Sequence, residues 1–515
     1  MSQMKAGAIL SYLSLLITIL IAIIYTPVMI RLLGQEEYGL YALIGSVAAY
    51  FSIMDMGLGN AIVRFTARNR ALGDKKAESK LNGLFLILYG FIGVLTVLVG
   101  IILLNRVDSI FSATLTVSEL EKAKIMVKIL IFNYALSFPL AVFGSIIQAY
   151  EKFVVVKLVA LIRHIMVPVV TLPVLFMGYG SVAMVAITTI VNIACLLFNV
   201  YYCFKNLKVN FYFGKIDFQL LKEILGYSSL VFLGIIVDQL YWNTHQFILG
   251  ILVGTVPVAI YAIAMIFIKL YMQFSTSLSG LFLPRVSMMV ANNASNQELT
   301  EIMIKFGRLQ YIVMSFILSG FILFGQSFIN IWAGSNYSTA YYMVLIIMVP
   351  LTIPLIQNIG ISILYAKNLQ GFRSIILIFI AILNVIISIP LAKNFEGIGS
   401  AWATAISLTI GNIIIMNIYY HYKIGINIPL FWKNISLMSI PIAISTLMGS
   451  GMNYLIAQNN LLFLAIKIIL FSIVFFLMMW FLGFNKYEKE LSLSTVKSLN
   501  RILLKIKNKR NHGLS

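Results

Sequence analysis

Residues 51–80 read FSIMDMGLGNAIVRFTARNRALGDKKAESK: one aspartate inside an apolar run, two glycines, then six positive charges within residues 64–80. Soluble domains spend about 25% of their residues on charge. This 515-residue chain spends 10% and is 61% hydrophobic. The stretch therefore reads as the end of a membrane span, with Arg64 at the boundary and a basic loop beyond it. Working outward, apolar runs long enough to cross about 30 Å of hydrocarbon recur along the whole chain. Fourteen are drawn, at 6–30, 38–63, 81–104, 129–150, 158–176, 180–204, 225–252, 257–283, 309–332, 340–366, 374–391, 397–420, 434–457 and 461–482.

With the N-terminus in the cytoplasm, 28 of the 37 Lys and Arg residues fall on that side. Six face the other side (Arg31, Arg106, Lys122, Lys124, Lys128 and Lys393), and Arg163, Lys269 and Lys467 lie inside spans. This asymmetry follows the positive-inside rule and puts both termini in the cytoplasm. The net charge of +20 is thus mainly a topology signal, and no nucleic-acid partner is expected. The basic tail from Lys486 through KIKNKR suits anionic headgroups. The first apolar stretch is too long for a signal-peptide core and lacks a small-residue cleavage site, so it is expected to stay as the first span. Cys195 and Cys203 fall on one predicted helix, roughly 12 Å apart along its axis, and imply neither a disulfide nor a metal framework.

An internal repeat organises the spans. GLYALIGSVAAYFS (39–52) resembles AIYAIAMIFIKLYMQFS (259–275), with Tyr41 against Tyr261. PLAVFGSIIQAY (139–150) parallels PLIQNIGISILY (354–365), and NVYYCFK (199–205) parallels NIYYHYK (417–423). The three matches keep their order at offsets of 215 to 220. A unit of six spans begins each copy on the same side of the membrane, so the copies should be related by an axis along the membrane normal. The expected fold is an all-α polytopic membrane protein. Residues 1–204 form one six-helix lobe, 205–423 a second related by pseudo-two-fold symmetry, 424–482 an appended helix pair and 483–515 a basic cytoplasmic tail. Lobes that rock about a central cavity make a transporter plan.

A charge near the bilayer centre costs about 2.5–3.5 kcal/mol on insertion scales, which makes every ionisable residue inside a span a functional candidate. Asp55, Arg163, His164, Asp238, His245, Lys269 and Lys467 qualify. Lys467 lies about 9 Å from the outer end of its span, within snorkelling reach; Lys269 sits near the midplane, and Arg163, five positions into its span, is within reach of cytoplasmic headgroups as well as of a cavity. Asp238, Trp242 and His245 share one helix face at i, i+4 and i+7, with Gln239 and Gln246 one step round. That stripe is either an interhelical hydrogen-bond seam or the wall of a wet cavity. No phosphate-binding loop, metal-ligand cluster or nucleophile elbow is present in the sequence, so energy must come from an ion gradient or substrate flux. One charge crossing 100 mV supplies about 2.3 kcal/mol.

With this topology in hand, YGLYAL (38–43) followed by MDMGLGNAIVRFTARNRALGD (54–74) resembles the span 1–2 signature of Wzx-type polysaccharide and O-antigen flippases. These belong to the multidrug/oligosaccharidyl-lipid/polysaccharide (MOP) exporter superfamily. The resemblance covers the chain in topology and is sequence-specific mainly in the first 80 residues. It implies a non-enzymatic flippase in a bacterial inner membrane, moving an undecaprenyl-pyrophosphate-linked oligosaccharide from the inner to the outer leaflet. Membrane lipids, a polysaccharide polymerase and chain-length machinery are the implied partners. No cofactor is implied beyond coupling to H⁺ or Na⁺. Arg163, Lys269 and Arg31 are then candidates for pyrophosphate, and Gln239, Tyr241, Trp242, Asn243 and Gln246 for sugar. Asp238, His245 and Asp55 are candidates for ion coupling.

For Asp55 a helix-end lock with Arg64 or Arg68 stands beside the cavity role, because its counterpart in the second copy is Ser275. Lipid II is an alternative substrate, since spans 13 and 14 resemble the extra pair whose groove holds the lipid tail in the lipid II flippase. A cation-coupled multidrug antiporter on the same fold is a third reading, set against only two buried acids, Asp55 and Asp238. A glycan polymerase or ligase would need a larger outer loop than residues 105–128 provide.

Overall fold

The computed structural model describes residues 3–214, 217–279, 283–456 and 460–494. Every element described is helical. In chain order they are α1 (Gln3–Leu33), α2 (Gln35–Ile53), α3 (Leu58–Ala71), α4 (Lys75–Phe111), α5 (Val117–Ala149), α6 (Phe153–Phe176), α7 (Ser181–Tyr202), α8 (Phe218–Trp242) and α9 (Thr244–Leu252). There follow α10 (Thr255–Ser279), α11 (Leu283–Ala291), α12 (Asn296–Trp332), α13 (Ala340–Ile356), α14 (Asn358–Ala366), α15 (Gln370–Leu408), α16 (Met416–Tyr419), α17 (Ile428–Leu455) and α18 (Leu461–Met478). Helix starts are marked by their caps. Thr116 with Glu119 and Ser295 with Glu298 form capping boxes, and Asp74 and Asp217 accept backbone N–H bonds at the starts of α4 and α8. Each cap satisfies donors that the first helical turn leaves over.

Among the described residues, twelve stretches are long and apolar enough to cross a membrane, and the bent pair α2 and α3 makes a thirteenth. One of the twelve, Gln370–Ile424, runs 55 residues. As a straight helix it would reach about 80 Å, more than twice the hydrocarbon thickness. It is not straight. Glu396 stands at φ 51°, ψ −133°, and a Cβ on Gly399 would collide with the Leu391 carbonyl. The helix is broken there, between the expected spans 374–391 and 397–420.

The opening stretch departs from the continuous helix expected over 38–63. Helix α2 ends at Ile53, α3 starts at Leu58, and the pair is bent by 40°. Gly57 has φ +73°, and a Cβ there would lie 2.8 Å from Val231 on α8. Only glycine meets both the left-handed backbone and the close approach. Asp55 sits inside this break and accepts a 2.6 Å hydrogen bond from the Tyr89 hydroxyl.

The described helices gather into two compact units. The first comprises residues 1–267, 342–344 and 374–407. One packed cluster in it joins Phe65, Phe85, Tyr89, Ile146, Ile147 and Ile224. On its basic side Arg68 pairs with Glu223 at 2.9 Å, and Arg64 lies over the Tyr227 ring at 4.6 Å. The arginines offered as partners for Asp55 are therefore engaged with α8. At the other end of α2, Glu37 pairs with Lys122 at 2.6 Å and accepts from the Ser181 N–H and hydroxyl, which ties α2, α5 and α7 together.

The second unit comprises residues 268–341, 345–373 and 408–515, with Ile312, Phe324, Met438, Phe471 and Phe475 at its centre. Lys467 is only 2% exposed, so it packs inside the unit instead of snorkelling outward. Arg308, on α12, makes a bidentate pair with Glu488 at 2.7 and 2.9 Å and donates to the carbonyls of Asn434 and Gly483. Lys305 lies 3.6 Å from the Tyr487 ring centre. These contacts fasten the segment after α18, and α17 with it, to α12. Arg308→Ala strands a buried carboxylate, which typically costs about 3–5 kcal/mol. Thermal unfolding in detergent should show a lowered midpoint, and the Arg308→Ala/Glu488→Ala double variant should recover most of the loss.

Candidate functional site

Arg163, exposed on α6, stands among polar side chains from neighbouring helices. Helices α1, α5, α6 and α7 form an open cavity of about 600 Å³ lined by Tyr25, Asn133, Tyr134, Ser137, Arg163, His164, Thr188 and Asn192 among others. Arg163 donates from Nη1 to Asn192 Oδ1 at 3.1 Å. The Asn192 amide in turn donates to Asn133 Oδ1 at 3.0 Å and Ser137 Oγ at 2.8 Å. Among the described residues this is the one hydrogen bond of the guanidinium, and no carboxylate pairs with it. A guanidinium carries five N–H donors, so four remain for an occupant of the cavity.

Local sequence explains the shape. Pro168, on the cavity wall, lacks an N–H and cannot complete the helix bond to the His164 carbonyl. That leaves a backbone acceptor beside the cation. The sequence reading found Arg163 but missed Asn133, Ser137, Thr188 and Asn192. Their signal was present: Asn133 and Ser137, like Thr188 and Asn192, stand four apart, so each pair marks one face of an otherwise apolar span.

The stripe on α8 and α9 resolves differently. His245 is 2% exposed. Its Nδ1 lies 2.9 Å from Ser388 Oγ, and its Nε2 lies 2.8 Å from Thr404 Oγ1 and 3.0 Å from the Asn384 amide nitrogen. Asn384 also donates to the Tyr241 carbonyl at 3.4 Å, and the Tyr241 hydroxyl to the Thr404 carbonyl at 3.4 Å. The helix breaks at Asn243, whose amide donates to Gln239 at 2.6 Å, and the Trp242 ring stands edge-on to Tyr241 at 4.7 Å. Tyr241, Gln239 and Asn243 therefore spend polar atoms on neighbouring groups, and His245 sits in a hydrogen-bond seam. Trp242 and Gln246 are half-buried, while Asp238 on α8 and Arg31 near the end of α1 are exposed. Lys269, exposed on α10, belongs to the second unit.

Comparison with known proteins places this architecture. The model of a family described as polysaccharide biosynthesis proteins matches residues 4–290, more than half of the chain. The protein belongs to that family, as the 38–74 resemblance implied. No curated protein sequence matches it. Among solved structures, the lipid II flippase MurJ in an inward-closed conformation superposes with a TM-score of 0.70 at 16% identity, over 92% of this chain and 97% of that one. An inward-facing multidrug resistance MATE family transporter of the MOP superfamily gives 0.59 at 16% identity, over 77% and 96%. A MOP superfamily transporter from Pyrococcus furiosus gives 0.53 at 17%, over 81% and 94%. The fold is that of MOP-superfamily transporters, and the chain is a multi-pass membrane protein.

If Asn192 positions the guanidinium, Asn192→Leu should weaken binding of inorganic pyrophosphate to the purified protein by at least about tenfold, the equivalent of one charge-assisted hydrogen bond. Equilibrium binding in detergent measures this, and an unchanged affinity would show that Asn192 has no such role.

Proposed function

We propose that the protein is a flippase for undecaprenyl-pyrophosphate-linked oligosaccharide, carrying it from the inner to the outer leaflet of a bacterial inner membrane, with both termini cytoplasmic. The observation that carries this reading is the Arg163 cavity: a cation without an acidic partner, walled by amides and hydroxyls. A pyrophosphate matches the guanidinium fork. Sugar hydroxyls match Asn133, Ser137 and Asn192, whereas in hydrocarbon each unpaired hydroxyl would cost several kcal/mol. A cation-exporting pocket would place carboxylates where this one has Arg163 and His164. The Pyrococcus furiosus transporter is likewise described as having a binding pocket of reverse polarity, suggesting a different function. In this reading residues 1–204 and 205–423 are the rocking lobes, and Lys269 and Arg31 serve the pyrophosphate elsewhere on its path. A polymerase and chain-length machinery act on the delivered product.

The proposed coupling ion is H⁺, taken up at His245. Each N–H of an imidazolium there would find a hydroxyl acceptor already in place, Ser388 Oγ on one side and Thr404 Oγ1 on the other. The one bond lost is that from Asn384, whose Oδ1 is buried without a partner. Tyr261 is a titratable side chain packed against the ring, at 5.5 Å between ring centres, and no carboxylate pairs with His245 among the described residues.

Lipid II is the second reading, favoured by the superposition on MurJ over nearly the whole of both chains.

Proteoliposomes carrying a fluorescent undecaprenyl-pyrophosphate glycan test the first reading, with outer-leaflet exposure as readout. Arg163→Ala should lower flipping by about a hundredfold and Arg163→Lys by less, because lysine keeps the charge and loses the fork. Transport of lipid II but not of the glycan would select the second reading. In the same vesicles His245→Gln should abolish acceleration by an imposed pH gradient while leaving slow downhill flipping. If Asp238→Asn has that effect instead, the coupling site is Asp238.

A further inference from the structure

The seam between α6 and α7 has two unlike sides. Arg163, Val167, Asn192 and Leu196 face the cationic cavity. On the reverse, Ile162, Met166, Ile190, Val191, Cys195 and Phe198 help to line a second hollow of about 530 Å³ whose wall is almost wholly apolar. The two hollows use adjacent residues, Ile162 beside Arg163 and Val191 beside Asn192. An amphiphile with its charged end at Arg163 would thus meet hydrocarbon-binding surface within one residue of its anchor.

Helix α6 is also the element best able to let such a molecule through. Only 6% of its span is buried, the lowest share among the described spans. It carries Pro168 and Pro173, each of which removes one helix hydrogen bond and so one restraint on bending.

We propose that this outer groove seats the prenyl chain of the substrate next to its pyrophosphate, and that the α6–α7 seam is the lateral passage by which the head reaches Arg163. The proposal rests on the functional reading above, because it assigns the groove to the tail of that substrate. The groove and the cationic cavity are built on the same two helices, α6 and α7, and charge complementarity at Arg163 selects a lipid phosphate over a neutral lipid. Its position differs from the groove in spans 13 and 14 that the family resemblance implies for the tail.

Undecaprenyl pyrophosphate carrying a benzophenone in its first isoprene units, added to the full-length protein in proteoliposomes, tests the assignment. After irradiation, cross-links should map to 159–166 and 190–198, and unlabelled undecaprenyl pyrophosphate should compete them away. Cys195→Trp, which fills the groove from a half-buried position, should lower cross-linking there by at least about tenfold, as overpacking costs suggest. The same variant should keep its affinity for inorganic pyrophosphate, which reports that Arg163 and the fold are intact.

Cross-links confined to 428–483 would overturn the proposal. So would equal labelling of the groove by a benzophenone phosphatidylglycerol, because the bilayer alone would then account for its occupancy. If wild-type vesicles fail to flip the glycan yet label competitively in the groove, the functional reading falls and the prenyl site stands. If they flip the glycan and leave the groove unlabelled, the prenyl site falls alone.

Discussion

In hydrocarbon no water is available to take up a spare backbone N–H or C=O, so each interruption of a helix must be answered within the protein. Three of the interruptions among the described residues sit beside chemistry. At 54–57 the backbone turns on Gly57, and the break holds Asp55 against Tyr89. At Asn243 the helix is re-aimed where the His245 network begins. At Pro168 the missing N–H frees a carbonyl on the wall of the Arg163 cavity. The same constraint that makes the fold nearly all helix thus concentrates irregular backbone where a polar ligand or a proton could use it.

Charge obeys a parallel rule. Arg308 is buried, and its guanidinium is spent on Glu488 and two carbonyls. Arg163 has one neutral partner and an open cavity before it. The contrast separates a cation that holds helices together from one left to meet a ligand, a distinction that residue type and depth in a span could not make.

Helical class and family were legible in the sequence because each rests on signals tens of residues long: apolar runs and the 38–74 signature. Arg163 was legible because an intramembrane charge is conspicuous. The amide and hydroxyl wall around it was harder to see, since Asn133, Ser137 and Asn192 are uncharged, and only contact among α5, α6 and α7 shows that they converge. His245 was noticed, but its partners Ser388, Asn384 and Thr404 lie more than a hundred positions away. Asp55 shows the opposite failure: nearby arginines suggested a lock, while the structure gives it a tyrosine from α4 and sends those arginines to α8.

The bond between Arg308 and Glu488 spans 180 positions of chain. During synthesis the arginine is made long before its carboxylate exists, so α12 spends that interval with its buried ion-pair partner missing. The last helix pair is therefore a keystone in time as well as in space. Until α18 and Glu488 are in place, the second unit cannot reach its final electrostatic balance. A chain halted short of that point would present an unpaired guanidinium, the kind of defect by which a membrane quality-control protease could tell an unfinished copy from a finished one.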